Sequence, residues 1–366
     1  MDDLTHAYLT LKHAKGLGPR KAKILLEALG SAVEVVNIKS SDLLRVDSVG
    51  PALVRAIEAA KASDWPAKEW QRAQKLGVDL IHPEHKEYPE SLKAIFDPPL
   101  LLYVRGKLPN LQGAAPKSFG IVGTRNASDY ALQLTKALAR DLAQQGVAII
   151  SGLALGVDSA AHEGALAANG GQTVAVLGSG VDIIYPRQNG TMAKKIAEGH
   201  GAIVSEYSLG TSPHARNFPG RNRIITGLSK GILVVEAGEK SGALITADYA
   251  AEEGRQVFAV PGRVGDPRSI GALKLLKQGA VLVQDTTDIL DEMDWQSNTT
   301  AQPKAKLTLE PKDAALVALI EQLETPLLDD LITSSQQTAA QLLPQLMQLE
   351  LKGIIRTLPG SRYTRS

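Results

Sequence analysis

FGIVGTRNASDYALQLTKALARDLAQQGVAIISG, residues 119–152, joins two continuous apolar runs through one amphipathic stretch. FGIV and VAIIS are apolar without alternation, as strands covered on both faces must be. YALQLTKALARDLAQQ, between them, carries its apolar residues at helical spacing. A strand, a helix and a second strand of this kind form the repeating unit of a parallel sheet.

The same plan continues outward. TVAVLG, AIVSE, GILVVE, QVFAV and AVLVQ are further strand-like runs. SAAHEGALAANG, TMAKKIAEGH and LITADYAAEEG are helical stretches among them. The spacing predicts a doubly wound, mostly parallel α/β domain over residues 67–290, with its ligand at the carboxyl ends of the strands. Residues 1–66 read as short helices, and two segments share a plan, one around Gly16-Leu17-Gly18-Pro19 and one around Val49-Gly50-Pro51. They fit a helix-hairpin-helix pair holding phosphate on its glycine turns, or a helical protein-contact domain with ordinary turns. Residues 291–312 lose all periodicity and read as a linker. Residues 313–366 read as three helices, a strand, a Pro-Gly turn and a second strand, the pattern of a winged helix. Its LLDDL segment is acidic, and TAAQLLPQLMQLELKG offers only Lys352 as a cation, so a protein-contact role is expected there.

Composition narrows the chemistry. The chain has 366 residues, a net charge of +1 and no cysteine, which excludes disulfides, thiolate metal sites and cysteine nucleophiles. The amino terminus lacks the pattern of a secretion signal, and no apolar run approaches the ~18 residues of a spanning helix. A cytoplasmic protein without membrane contact is expected. Two windows, 98–128 and 207–235, contain no acid; they carry Arg105, Lys107, Lys117 and Arg125, and Arg216, Arg221, Arg223 and Lys230. Such windows create a positive face if they meet in space, or arise by chance if they do not.

Most expected strands end in glycine-rich loops leading into helices, which is how backbone N–H groups cradle phosphate. GSGVDI departs from the dinucleotide fingerprint at Ile183, and GEKSG lacks the spacing of a phosphate-binding P-loop. No cofactor is expected. Asp158 and His162, four apart, fit a helix cap and a packed imidazole better than a metal site. Glu206 and Glu236 close two strands, where carboxylates orient neighbouring arginines. No nucleophile stands beside a base, so neither catalysis nor a metal is expected.

NFPGRNRIITG, residues 217–227, reads as a cationic aromatic turn. Phe218 offers a face for a nucleobase, while Arg216, Arg221 and Arg223 pair with phosphates. The same residues also fit an arginine-rich corner packed around a buried Phe218.

GIVGTRNASDYA, ISGLALGVDSAAHEGAL, TVAVLGSGVDIIYPRQN, IVSEYSLG, NFPGRNRIITGLS, ILVVEAGEKSGALITADYAAEEGRQVFAVPG and SIGALKLLKQGA together resemble the DNA-processing protein A (DprA/Smf) family. The resemblance runs from about 88 to 285 and implies an extended Rossmann-like domain that binds single-stranded DNA. It also implies protection of incoming strands in natural transformation, loading of the RecA recombinase, and a homodimer. The flanking regions are similar to the family's accessory domains, an amino-terminal SAM-like or helix-hairpin-helix domain and a carboxyl-terminal winged helix. Carried over by position, the DNA site comprises Gly123, Thr124, Arg125, Ser151, Gly152, Gly178, Phe218, Arg221, Asn222, Arg223, Ser241, Gly242 and Thr246. The first loop reads NASDYA where the family more often has Thr and a Tyr-Gly pair.

Two other readings compete. Nucleotide phosphoribohydrolases of the lysine-decarboxylase-like family share a Rossmann core, but their PGGxGTxxE mark becomes EAGEKSGALITAD here, without the Gly-Thr pair or the acting Glu. A duplex-binding winged-helix regulator is the third, disfavoured by the acidic tail.

Overall fold

The computed structural model describes residues 1–112, 116–295, 311–323, 325–335, 337–351, 354–358 and 362–365. The chain falls into two compact units, Met1–Asn298 and Thr299–Ser366. The first is built on nine strands: β1 Val78–Ile81, β2 Leu102–Gly106, β3 Ser118–Val122, β4 Ala148–Ser151, β5 Thr173–Val176, β6 Gly201–Ser205, β7 Gly231–Val234, β8 Gln256–Ala259 and β9 Val281–Leu282. Their order across the sheet is β1-β2-β6-β5-β4-β3-β7-β8-β9. Neighbours from β6 through β9 are parallel, whereas β1 and β2 add an antiparallel edge. All seven strand-like runs of the sequence are strands; β1 and β2 were not anticipated.

Burial explains the continuous apolar runs. Every residue of β3 and β7 is buried, because successive side chains enter different cores. Ile232 and Val234 pack with helices Asn217–Leu228 and Gly242–Glu252 on one face. Phe119, Ile121, Leu233 and Val235 pack with helices Asp129–Gln144 and Val157–Ala167 on the other. Helix Asp129–Gln144 starts where Ser128 Oγ accepts from Ala131 N at 3.1 Å, and the chain leaves it through Gly146 at φ 77°. The left-handed turn suits glycine.

Both amino-terminal glycine turns lead into helices. Gly18 and Gly50 cap helices Pro19–Leu29 and Pro51–Lys61, each with proline in the first turn. The repeat extends one step further, since Gly16 and Ser48 both take positive φ. A boundary at 66/67 does not hold: helix Trp65–Lys75 runs across it. The helical region also shares one core with the sheet, Leu9, Leu25 and Ile57 clustering with Leu101, Tyr103, Ala175 and Ile203. Two cations of the first hairpin are already engaged: Arg20 lies over the Phe96 ring, and Lys23 Nζ donates to Ile95 O.

The expected linker begins too early. Residues 291–295 belong to the first unit, where Trp295 packs edge-on to Phe119 with centroids 6.2 Å apart. The second unit has helices Pro311–Gln322, Leu328–Ser335 and Ala339–Leu351, then an antiparallel pair, β10 Ile355–Leu358 and β11 Arg362–Arg365. It closes its own core around Leu316, Ile320, Leu342, Leu346 and Tyr363. Lys352 and the Pro-Gly turn lie outside the described residues.

A candidate nucleic-acid cleft at the strand ends

The order of strands reverses at β3. The chain winds from β3 through β4 and β5 to β6 on one side, then crosses back to β7, β8 and β9 on the other. Such a switch point leaves a crevice at the carboxyl ends of the central strands. A cleft of about 460 Å³ lies there, lined by the loops after β3 and β7 and by the start of helix Asn217–Leu228.

Most expected site residues meet in it. Gly123, Thr124, Arg125, Phe218, Arg221, Asn222, Ser241, Gly242 and Thr246 all line the cleft. Thr124 N donates to Glu236 O at 2.7 Å, tying the β3 loop to the β7 loop. Ser241 caps helix Gly242–Glu252, accepting from Ala243 N, and so turns the helix start toward the cleft. Lys240, exposed on the same loop, joins the lining; GEKSG had suggested it only as a failed P-loop.

The remaining expected residues divide by depth. Ser151 is fully buried and donates to Ile121 O at 2.7 Å, a packing role within the sheet. Gly152 and Gly178 stand behind the cleft; a Cβ at Gly152 would collide with the Arg221 guanidinium, and one at Gly178 would sit tightly, 3.0 Å from the Phe218 ring. Their value is the absence of a Cβ.

The stretch read as a turn is the helix Asn217–Leu228. Pro219 and Gly220 do not break it because the first N–H groups of a helix have no internal partner. On this helix the arginines have separate fates. Arg216 is exposed at the cap, without an ion pair among the described residues. Arg221 is only 5% exposed, and its Nη1 donates to Gly152 O at 2.6 Å and to Val176 O. Burial pulls the Arg221 pKa down, against the opposing pull of the Asp158 charge. Arg223 is nearly as deep, its Nη2 donating to Glu206 Oε2 at 2.7 Å. The phosphate partnerships expected of Arg221 and Arg223 are therefore not available in this arrangement: both guanidiniums are committed inside.

Phe218 lies apart from the buried apolar clusters of the described residues. Its ring is half-buried in the cleft wall, with the Arg125 guanidinium 5.2 Å from its centroid and Tyr185 tilted against it at 6.0 Å. The Arg221 guanidinium also lies over the ring, 5.9 Å from its centroid, so an arginine-rich corner does surround a Phe218 that stays only half-buried.

The cationic windows meet only in part. Lys107 and Lys117 line a separate cavity at the opposite, amino-terminal edge of the sheet. Lys230 also precedes its strand, its N donating to Ser118 O at the start of β3. Arg125 alone from the first window is placed in the cleft with the second window's Phe218 helix.

The acids are structural. Asp158 sits in the first turn of helix Val157–Ala167, yet its Oδ2 accepts from Gly152 N and Ala154 N, holding the preceding loop. Burial raises its pKa, offset by Arg221 and those amides. His162 is fully buried with Nδ1 2.7 Å from Thr173 Oγ1. Thr173 gives its own hydrogen to Ile149 O, so Nδ1 carries the shared proton and Nε2 faces the core as a bare lone pair. Burial drives the His162 pKa down to about 3, with Arg221 adding to the effect. Glu206 orients an arginine as expected; Glu236 instead accepts from Ser128 N at 2.9 Å and Ser128 Oγ at 2.6 Å. The cleft thus presents glycine-rich backbone, one aromatic ring and peripheral cations.

Comparison with known proteins agrees with this architecture. The family model for DNA recombination-mediator protein A matches residues 79–294, and that for the DprA winged helix domain matches residues 300–361. Protein Smf of Synechocystis is 33% identical, covering 98% of both chains. The X-ray structure of DNA processing protein A from Streptococcus pneumoniae superposes with a TM-score of 0.69 at 32% identity, covering 79% of this chain and 97% of that one. DNA processing protein A from Helicobacter pylori, described for its single-stranded DNA binding mode, superposes with a TM-score of 0.53 at 32% identity, covering 59% of this chain and 95% of the other. In sequence along its length and in the fold around the cleft, the chain belongs to the DprA/Smf family.

Proposed function

We propose that the cleft at the β3/β7 switch point binds single-stranded DNA with little sequence preference. The observation that carries this reading is Phe218, a ring kept out of the core and held beside Arg125 over glycine loops. A π-face accepts any unpaired base, and backbone N–H groups with mobile cations accept any phosphate. Paired bases would hide the faces that Phe218 needs. The site residues are those lining the cleft, with Arg125 and Lys240 as its available cations and Arg216 exposed at the cap of the Phe218 helix.

The protein acts by binding rather than by catalysis. Asp158, the acid that lines the cleft, holds the preceding loop, and His162 is buried against Thr173. The wider role follows the family: shielding of incoming strands, RecA loading in recombination, a homodimer and a cytoplasmic location. No helix among the described residues is long and apolar enough to cross a membrane.

Fluorescence polarisation with matched single- and double-stranded oligonucleotides tests the reading. Single strands bind more tightly, and log K falls linearly with log salt as condensed counterions are released. Equal affinity for the two forms would overturn it.

A further inference from the structure

We infer that the cleft continues past Phe218 into a second base-stacking subsite formed by Tyr185 and Leu155. The inference rests on the single-strand reading above and extends it along the sheet edge. Tyr185, in the loop after β5, is 44% exposed, and Leu155, in the loop after β4, is 41% exposed. They face a small cavity of about 50 Å³ whose walls include Arg125, Phe218 and Arg221, the same residues that line the main cleft. The two spaces therefore share a wall. Two neighbouring apolar side chains left in water beside a binding cleft are a feature that folding alone does not favour.

The Tyr185 ring is presented, not loose. Its loop is pinned by Asn189, whose Nδ2 donates to Leu153 O and Ser159 Oγ, both at 2.8 Å. Ser179 Oγ bonds Ile183 O at 2.7 Å within the same loop. The planes of Tyr185 and Phe218 meet at 38° with centroids 6.0 Å apart, so neither ring covers the other's face. Among the described residues the Tyr185 hydroxyl has no protein partner, and Arg187, two positions on, is exposed without an ion pair. Aromatic and free arginine thus recur in the spacing of Arg216 and Phe218.

The geometry sets a path. Loops after β7, β3, β4 and β5 are consecutive along the carboxyl edge. The Tyr185 and Phe218 centroids are 6.0 Å apart, so the two rings serve neighbouring bases of one strand. Phe218 takes a base near the switch point, and Tyr185 takes one further along.

The test uses the full chain with oligothymidylates of graded length. Wild-type affinity rises with length until the strand reaches Tyr185. Tyr185→Leu weakens long oligonucleotides by about 5- to 150-fold and leaves the shortest bound forms unaffected. Tyr185→Phe, which keeps the ring, binds like wild type. Thermal midpoints of both variants match wild type because the side chain is largely outside the core. Undiminished binding of long strands by Tyr185→Leu would overturn the inference, as would equal losses at every length. Failure of wild type to prefer single strands is a separate result, and it would count against the underlying reading.

Discussion

The first and second turns of helix Asn217–Leu228 draw on the same residue types and do opposite work. At its start, Arg216 is exposed at the cap and Phe218 lines the cleft, half-buried beneath Arg125. One turn on, Arg221 and Arg223 turn inward, onto backbone carbonyls and onto Glu206. A buried, paired guanidinium contributes rigidity and a fixed local field; an exposed one contributes counterion release. Cations counted in a sequence window are therefore not a measure of charge offered to a ligand.

Removing the inner arginine is the largest test of this division. Arg221→Ala leaves Asp158 buried without its counter-charge and two carbonyls without a donor. It is expected to cost about 3–5 kcal/mol of stability in urea unfolding. A loss below about 1 kcal/mol, accompanied by weakened DNA binding, would reassign Arg221 to the ligand.

The inner side also carries a pH signature. His162 has its pKa lowered from 6.5 to about 3 on folding, so the unfolded chain takes up a proton that the native state refuses. Its contribution is fully present above pH 6.5 and is lost as pH falls toward 3, at up to about 1.4 kcal/mol per pH unit. Stability measured across that window should slope in this sense, and His162→Gln should flatten it. An unchanged slope in the variant would show that other groups set the acid limit.

At the outer end the expected effects are smaller and concern binding alone. Arg125→Ala should lower the salt slope of single-strand binding by about 0.7–1 and leave the thermal midpoint where it is. An unaltered slope would mean that Arg125 serves only as a lid on the Phe218 ring.

How much of this was legible depends on what each pattern encodes. Continuous apolar runs followed by amphipathic stretches identified the seven strands from β3 onward, because burial on two faces leaves no other composition. β1 and β2 escaped: β1 is four residues interrupted by Asp79, and β2 follows Pro98-Pro99 with no helix to mark a parallel crossover. The glycine loops and Phe218 were found because their chemistry resides in residue type. The inward arginines were missed because Pro219 and Gly220 suggested a turn. Taken as a helix, the segment places Arg221 with Ile225 and Leu228 at the spacing of one buried face, which was the available signal. Tyr185 had none, being set beside Phe218 only by the folding of distant loops.

The most direct measurement on the central claim is Phe218→Ala, with DNA affinity across a salt series and the thermal midpoint without DNA recorded on the same protein. If Phe218 is a stacking surface, single-strand binding weakens by about 1–3 kcal/mol, the salt slope stays that of wild type, and the midpoint barely moves. A midpoint far below wild type, as a core truncation costing about 3–5 kcal/mol produces, with binding intact in the folded fraction, would contradict the account.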